Sequence, residues 1–236
     1  MQITHIVSLC LGLIAAYLLG SIPSAVWFGK AFFKTDVRKQ GSNNAGATNT
    51  ARVLGIGPGL IVLFLDAAKG WFAVYCGNFF GSFFVDVWGM NTGMAYLSCF
   101  KLIMGAIAVL GHVLPIFVNF KGGKGVATTV GVVIGLFWEI FPIVIVIFIV
   151  MFMLYRYISL ASVISAISFP IAYVLCGPWL HYEVYLPLLI FACIIALFIP
   201  YTHRKNIKRL LKGEEPKFQV HKHSDVDKNN EEADAS

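Results

Sequence analysis

Long apolar runs separated by short polar segments constrain this chain more than any other feature. The mostly hydrophobic stretches lie near residues 3–28, 58–80, 93–116, 126–138, 140–155, 161–177 and 184–201. A helix that crosses a bilayer needs about 20 mostly apolar residues. Charged residues make up 13% of the sequence, whereas a soluble domain carries about 25%. The pattern therefore predicts an all-α integral membrane protein, a bundle of about seven transmembrane helices, and it excludes soluble enzymes and nucleic-acid-binding modules.

The stretch 126–155 fits either one tilted helix or two short helices that are broken near Glu139 and Pro142. The positions of the basic residues favour two, because cytoplasmic loops are rich in Lys and Arg. With seven spans and the N-terminus outside, 16 of the 18 basic residues lie on one side, and the other two, Lys69 and Lys101, lie within spans. This distribution predicts an external N-terminus and a cytoplasmic C-terminus.

The polar C-terminal end contrasts with the rest of the chain. Residues 1–215 are predicted to form one membrane-embedded domain. Residues 216–236 include the sequence NNEEADAS and few apolar side chains. Such a composition does not support a hydrophobic core, so this tail is predicted to be disordered and cytoplasmic.

The first unusual polar segment is GSNNAGATNTARVLG, from Gly41 to Gly55. Small polar residues allow backbone N–H groups to surround an anion. An arginine can grip a phosphate through two parallel N–H groups. The predicted phosphate-binding residues of this segment are Ser42, Asn44, Thr48, Asn49 and Arg52.

The second segment is GHVLPIFVNFKGGKGVATT, from Gly111 to Thr129. A glycine-rich turn, then a lysine, then a helix start is an arrangement that binds phosphate. The spacing GxxxxGK[ST] of nucleotide-binding loops is missing, so ATP is not indicated. The two lysines could instead only mark the cytoplasmic side. The predicted site residues of this segment are His112, Lys121, Gly122, Gly123 and Lys124.

The third segment is HRKNIKRLLKGEE, from His203 to Glu215. A basic amphipathic helix on anionic lipid would account for its Lys and Arg residues, but less well for His203 and Asn206. Since the three segments belong to one predicted face, we expect them to form a single pocket for a phosphorylated substrate.

Two ionisable residues lie within a predicted span. Asp66 and Lys69 are three residues apart, so they share one face of a helix. Charges inside a bilayer are costly and usually face the bundle interior. The spacing favours a paired, bundle-facing structural role for Asp66 and Lys69, and a direct catalytic role stays open.

Six blocks together resemble the acyl-phosphate:glycerol-3-phosphate acyltransferase family, often called PlsY. They are SIPSAVWFGK (21–30), GSNNAGATNTARVLG (41–55), LDAAKG (65–70), GHVLPIFVNFKGGKGVAT (111–128), RYISLAS (156–162) and HRKNIKRLLKGEE (203–215). The resemblance runs from about residue 8 to 215. One departure is GSNN in place of the family's usual GSGN, with Asn43 for glycine; Asn is the non-glycine residue that best tolerates positive φ.

The resemblance implies a multi-pass enzyme of the bacterial cytoplasmic (inner) membrane, with its active site facing the cytoplasm. Such an enzyme transfers a fatty acyl group from acyl phosphate to the 1-hydroxyl of sn-glycerol 3-phosphate, the first acylation of phospholipid synthesis. The products are 1-acylglycerol 3-phosphate (lysophosphatidic acid) and phosphate. Membrane lipid surrounds it, an acyl-phosphate synthase is a candidate partner, and no cofactor, metal or nucleic acid is expected. Ser159, Ser162 and Asn206 are expected to act in catalysis with Lys124 and His203.

Two other classes remain open on sequence alone. A transporter of phosphorylated metabolites would fit the buried charges, although its polar residues should lie near the midplane and at both mouths. An alcohol phosphatidyltransferase would need a metal site rich in aspartate. The cytoplasmic loops before the tail offer only Asp36.

Overall fold

The computed structural model describes residues 3–88, 94–180 and 183–218, and in that part of the chain the structure is helical without strands. The predicted all-α class is confirmed. Most of the predicted tail, residues 219–236, and the start of the predicted span 93–116 lie outside the described residues. The helices are α1 (Ile3–Ser21), α2 (Ser24–Phe33), α3 (Ala47–Leu54), α4 (Ile56–Trp88), α5 (Met94–Val113), α6 (Val126–Leu136), α7 (Phe141–Tyr155), α8 (Ile158–Cys176), α9 (Leu186–Thr202) and α10 (Arg204–Leu211).

Helices α1 and α4 to α9 alternate in direction. Residues at the starts of α4, α6 and α8 and at the ends of α5, α7 and α9 line one cavity. The end of α1 packs beside the end of α5, where the Tyr17 hydroxyl donates to the Leu114 carbonyl at 2.8 Å. We call this end of the bundle the polar end. All three predicted site segments lie there.

The chain between residues 126 and 155 turns back on itself. Helix α6 ends at Leu136, and α7 begins at Phe141. Pro142 lies in the first turn of α7, where its missing N–H costs no hydrogen bond. The ring of Phe137 fills the turn and meets Phe169 edge-on at a centroid distance of 4.9 Å. The prediction of two helices rather than one is therefore confirmed.

The first predicted span, 3–28, is not one continuous helix. Helix α1 ends at Ser21, and α2 starts at Ser24 with a bend of 44° between them. Pro23 explains the break, because proline has no N–H to continue the helix and it disfavours helical geometry in Ile22.

By length and composition, three described helical stretches could cross a membrane. They are Ile56–Gly81, Leu97–Val118 and Ile158–Cys176. The count rises to five if the bent pairs α1–α2 and α9–α10 each form one span. Helices α6 and α7 are apolar but shorter.

Helices α4 and α6 are in backbone contact. A Cβ atom added to Gly131 would overlap the carbonyl of Ala67, and one added to Gly70 would overlap the carbonyl of Thr128. Small residues allow helices to approach this closely in a membrane. The approach places Asp66 of α4 beside the start of α6.

Candidate active site

A cavity of about 330 Å³ lies at the polar end. It is lined by residues from all three predicted segments and from the start of α8. The predicted site residues in its wall are Ser42, Asn44, Thr48, Asn49, Arg52, His112, Lys124, Ser159, Ser162, His203 and Asn206. Lys121, Gly122 and Gly123 are not among the residues that line it. Lys121 is exposed, and both glycines pack against His112.

Asn49 organises the first segment. Its side chain is 1% exposed. Its Oδ1 accepts from the backbone N–H of Ser42 at 2.7 Å and from the Ser42 hydroxyl at 3.0 Å. Its Nδ2 donates to the carbonyls of Val37 at 2.7 Å and Gln40 at 3.1 Å. These bonds use both the oxygen and the nitrogen of the Asn49 amide, so this side chain holds the loop to α3. Hydrogen bonds to a bound anion would have to come from neighbouring residues.

Helix α3 was not predicted, and it positions Arg52 in its last turn. Asn43, just before it, has φ 56°, the left-handed conformation that glycine adopts most easily. The Arg52 guanidinium donates to the carbonyl of Pro216 at 3.5 Å. Burial lowers the pKa of Arg52, but an arginine stays charged in proteins. This segment therefore offers one fixed cation to the cavity.

The second segment delivers a helix N-terminus and a lysine. Gly125 precedes α6 with φ 84°, and Gly125, Val126 and Ala127 line the cavity. Lys124 Nζ donates to Asn206 Oδ1 at 2.6 Å. Burial lowers the pKa of Lys124 to about 8, although the nearby Glu215 carboxylate opposes the shift. A bound anion would therefore find a positive helix end beside an ammonium group.

His203 follows α9 and is 3% exposed. Its Nδ1 lies 2.8 Å from the carbonyl of Ile199. A carbonyl only accepts, so Nδ1 carries the hydrogen and Nε2 is the acceptor of the neutral ring. Burial, together with the positive charge of Lys124, lowers the pKa of His203 to about 4. The ring is therefore neutral at physiological pH.

Glu215 is a site residue that the sequence analysis missed. It is buried and accepts hydrogen bonds from Ser159 at 2.8 Å and Asn206 at 2.6 Å. Arg209 pairs with it at 2.7 Å. Burial raises the pKa of Glu215, but the three hydrogen bonds outweigh that effect and hold the pKa below its ordinary value. Nothing in KGEE distinguishes Glu215 from Glu214, so only the fold could reveal it.

The carboxylate of Glu215 also explains how α8 and α10 meet. Ser159 begins α8, and Asn206 lies on α10. Phe218 follows on, with its N–H bonded to the Arg156 carbonyl at 2.8 Å and its ring 5.9 Å from that of Phe152. The chain after α10 thus closes one wall of the cavity.

Another part of the cavity wall is apolar. Leu60 and Leu63 of α4 and Phe148 and Phe152 of α7 line the same cavity. Ser162 adds little polarity there, because its hydroxyl donates to the Ile158 carbonyl at 2.8 Å. Among the described residues, no group of three or more His, Cys, Asp or Glu side chains is arranged to hold a metal ion. The cavity can accept an anion on one side and a hydrocarbon chain on the other.

Comparison with known proteins identifies the family. The glycerol-3-phosphate acyltransferase family matches residues 10–213. The glycerol-3-phosphate acyltransferase of Listeria monocytogenes serovar 1/2a is 41% identical over 212 residues, which cover 90% of this chain and 98% of the relative. The enzyme of the same name from Staphylococcus carnosus is 41% identical over 208 residues, covering 87% of this chain and 96% of the relative.

Solved structures agree with the sequence relatives. A crystal structure of PlsY (YgiH), an integral membrane glycerol 3-phosphate acyltransferase in its glycerol 3-phosphate form, is 36% identical to this chain, with a TM-score of 0.70. The similarity covers 90% of this chain and 96% of the PlsY chain. The lysophosphatidic acid form gives a TM-score of 0.68. This chain therefore belongs to the glycerol-3-phosphate acyltransferase family.

Proposed function

We propose that this chain transfers a fatty acyl group from acyl phosphate to the 1-hydroxyl of sn-glycerol 3-phosphate. The products are 1-acylglycerol 3-phosphate and phosphate. The observation that carries the proposal is the meeting of Arg52, Lys124 and His203 in one cavity with an apolar wall. The relatives that align with nine-tenths of this chain are glycerol-3-phosphate acyltransferases.

The polar wall would hold the phosphoryl groups of both substrates. Arg52, Lys124 and the N-terminus of α6 supply positive charge or N–H donors. Ser42, Asn44 and Thr48 line the same wall and can add hydrogen bonds. Two phosphoryl groups repel one another, so dense positive charge is needed to hold both, and rising salt should weaken binding.

The apolar wall would take the acyl chain. Leu60 and Leu63 face the cavity from α4, and Phe148 and Phe152 face it from α7. An acyl chain placed there would keep its hydrocarbon away from water, which is favourable at about 25 cal/mol per Å² buried. The carbonyl carbon would then lie where the two walls meet, close to Lys124.

In the chemical step, the 1-hydroxyl oxygen forms a bond to the acyl carbonyl carbon. The bond from that carbon to the phosphate oxygen breaks, and phosphate leaves with the electron pair. Lys124 and the N–H groups at the start of α6 stabilise the charge on the departing phosphate. Asn206 holds Lys124 in place through its 2.6 Å hydrogen bond, and Glu215 in turn holds Asn206 and Ser159.

The hydroxyl proton has two possible acceptors, His203 Nε2 and a substrate phosphate. Proton transfer is most efficient when the acceptor's pKa lies near the working pH. The pKa of His203 is held at about 4, whereas a phosphate monoester has a second pKa of about 6. We therefore assign the proton to phosphate and assign to His203 the orientation of the hydroxyl. If His203 were instead the essential base, His203→Gln would abolish turnover, so substantial residual kcat in this variant supports the assignment of the proton to phosphate.

The proposal places this bundle in the bacterial cytoplasmic membrane with the polar end in the cytoplasm. Helices α1, α4, α5, α6, α7, α8 and α9 would be its seven crossings, with the N-terminus outside. Residues 1–215 would form the acyltransferase domain and 216–236 the cytoplasmic tail, although the tail's first residues, up to Phe218, pack on the cavity. Helix α6, with 11 residues, spans only about 17 Å. Cysteine accessibility that placed residues 156 and 204 outside the cell would overturn this orientation.

The direct test is an assay of the purified protein with acyl phosphate and glycerol 3-phosphate. Lysophosphatidic acid should form with acyl phosphate, and acyl-CoA and acyl carrier protein thioesters should not replace it. A parallel reaction in EDTA should keep its rate, because no step uses a metal. Product from a thioester alone would refute the proposed donor. An acyl-phosphate synthase would then lose its proposed place as the partner that supplies the donor.

A further inference from the structure

A buried cluster of ionisable side chains lies beside the cavity, and the proposed reaction gives none of its members a role. Asp66 and Lys69 belong to α4, and His112 belongs to the end of α5. Their exposures are 1%, 5% and 6%. Asp66 and His112 both line the cavity wall. The cluster is therefore in direct contact with the cavity through these two side chains.

The predicted pairing of Asp66 with Lys69 is confirmed, and the pair has further partners. Asp66 Oδ1 lies 2.9 Å from Lys69 Nζ and 3.6 Å from His112 Nδ1. Lys69 Nζ also donates to the carbonyl of Ile22 at 2.9 Å, at the break between α1 and α2. One oxygen of the carboxylate thus contacts both a lysine that is itself anchored and the imidazole of His112.

His112 connects this carboxylate to the glycine-rich loop. Its carbonyl accepts the N–H of Gly123 at 3.2 Å. Its ring lies against the same residue, since a Cβ atom at Gly123 would overlap His112 Nε2. A Cβ atom at Gly122 would overlap the His112 carbonyl. His112 therefore touches the two glycines that immediately precede Lys124.

Electrostatics argue against direct substrate contact by Asp66. A bare carboxylate in the wall of an anion-binding cavity would repel a phosphoryl group. A buried ion pair is also not a strong source of stability, because apolar residues of similar volume often do as well. A carboxylate beside one nitrogen of a histidine can, however, fix the orientation of the ring, as it does for histidines that bind metals.

We propose that Asp66 is a positioning residue for the phosphoryl-binding loop and acts through His112. Lys69 neutralises the carboxylate and holds it, Asp66 orients the imidazole, and His112 sets the path of Gly122 and Gly123. That path decides where Lys124 and the start of α6 meet the phosphoryl group. The inference rests on the proposed function only in taking glycerol 3-phosphate as the ligand.

The test compares Asp66→Asn with the double variant Asp66→Asn/Lys69→Met. The single variant leaves Lys69 buried without its anion, so its thermal unfolding should shift to lower temperature. The double variant removes both charges, and its unfolding should return towards that of the original protein. Its KM for glycerol 3-phosphate should nevertheless rise about tenfold, and its KM for the acyl donor should rise as well, because Lys124 and the start of α6 also contact the departing phosphate.

A merely structural ion pair predicts a different result, in which the double variant recovers both stability and the original KM. That result would overturn the proposal. Should the double variant fail to fold, His112→Phe decides, because its ring has no nitrogen to face Asp66 and the Asp66–Lys69 pair stays intact. An unchanged KM for glycerol 3-phosphate in His112→Phe would also overturn the proposal.

A second readout separates this inference from the proposed reaction. Titration of the purified protein with glycerol 3-phosphate, without any acyl donor, measures loop positioning alone. Weaker binding in the double variant supports the role of Asp66 even if acyl phosphate proves to be the wrong donor. Binding equal to that of the original protein counts against it, whatever the donor.

Discussion

Two glycine-rich segments contribute to the cavity in different ways. In the segment Gly41–Gly55, Asn49 uses its whole amide to hold the loop against α3, and Arg52 is the cation that reaches the cavity. In the segment Gly111–Thr129, Gly125 starts α6 in the cavity wall and Lys124 lies beside it. The first segment is stabilised within itself by Asn49, whereas the glycines of the second pack on His112, which in turn contacts Asp66 of α4.

The difference shows that similar composition does not mean similar roles. A polar side chain in a loop can bind a ligand or can satisfy the loop's own backbone, and sequence does not separate the two cases. Buried polar groups must be hydrogen-bonded, so part of the asparagine content of the first segment is needed for folding. The following changes distinguish ligand contact from loop support.

Arg52→Ala should have the largest effect. A charge-assisted, two-pronged bond to phosphate contributes about 1.5–3 kcal/mol. Its loss should raise KM for a phosphorylated substrate by about 100-fold, with a smaller change in kcat. Steady-state kinetics measure this, with Arg52→Lys as the charge-keeping control. Unchanged KM and kcat in Arg52→Ala would remove the first segment from the binding site.

The pH dependence of kcat/KM should follow the ionisation of Lys124. The pKa of Lys124 is lowered to about 8, and kcat/KM follows the ionisation of the free enzyme. As pH rises through about 8, Lys124 loses its proton and its charge, so kcat/KM should fall by about tenfold per pH unit. Lys124→Arg keeps its charge and should hold kcat/KM level across that range. The same decline in both proteins would assign the titration to another group.

Asn49→Ala should act mainly on stability. It leaves the carbonyls of Val37 and Gln40 without the donor they have now. The loss of buried partners costs about 1–3 kcal/mol, seen as a lower unfolding temperature. Asn44→Ala is the matched control, because Asn44 is in the same loop and is half-buried. If Asn44→Ala destabilises the protein as strongly, Asn49 is not the residue that organises the loop.

Asn43→Gly should have the smallest effect. Asn43 has φ 56°, and glycine adopts this conformation without a steric penalty. Relief of that strain competes with the greater entropy of glycine in the unfolded chain, so the unfolding free energy should change by less than about 1 kcal/mol. Thermal unfolding of the two proteins measures the difference. A large loss of stability would mean that the Asn43 side chain holds the loop.

The apolar pattern predicted most of the helices, and charge placement predicted the turn between α6 and α7. Helix α3 was missed because it has only eight residues and is rich in Thr and Asn, which are poor helix formers. Three-residue spacing was enough to pair Asp66 with Lys69. Their link to His112 was beyond prediction, because it depends on how α4 and α5 pack.

The site was predicted as a set of residues but not as a geometry. Residues of three distant segments do share a cavity, yet Lys121 lies outside it and Glu215 lies within it. The inclusion of Lys121 and the omission of Glu215 have the same cause. Neighbouring lysines or neighbouring glutamates look alike in a sequence, and the turn of the backbone decides which one faces the cavity.

The contrast between Lys124 and Lys121 tests the central claim most directly, because the two lysines lie in one loop and only Lys124 lines the cavity. Binding of glycerol 3-phosphate should be measured by titration of the original protein, Lys124→Met and Lys121→Met, each with its unfolding temperature recorded. One phosphoryl-binding cavity at the polar end predicts that Lys124→Met loses about 100-fold in affinity and that Lys121→Met binds like the original protein. Equal binding by both variants, or loss only in Lys121→Met, would contradict it.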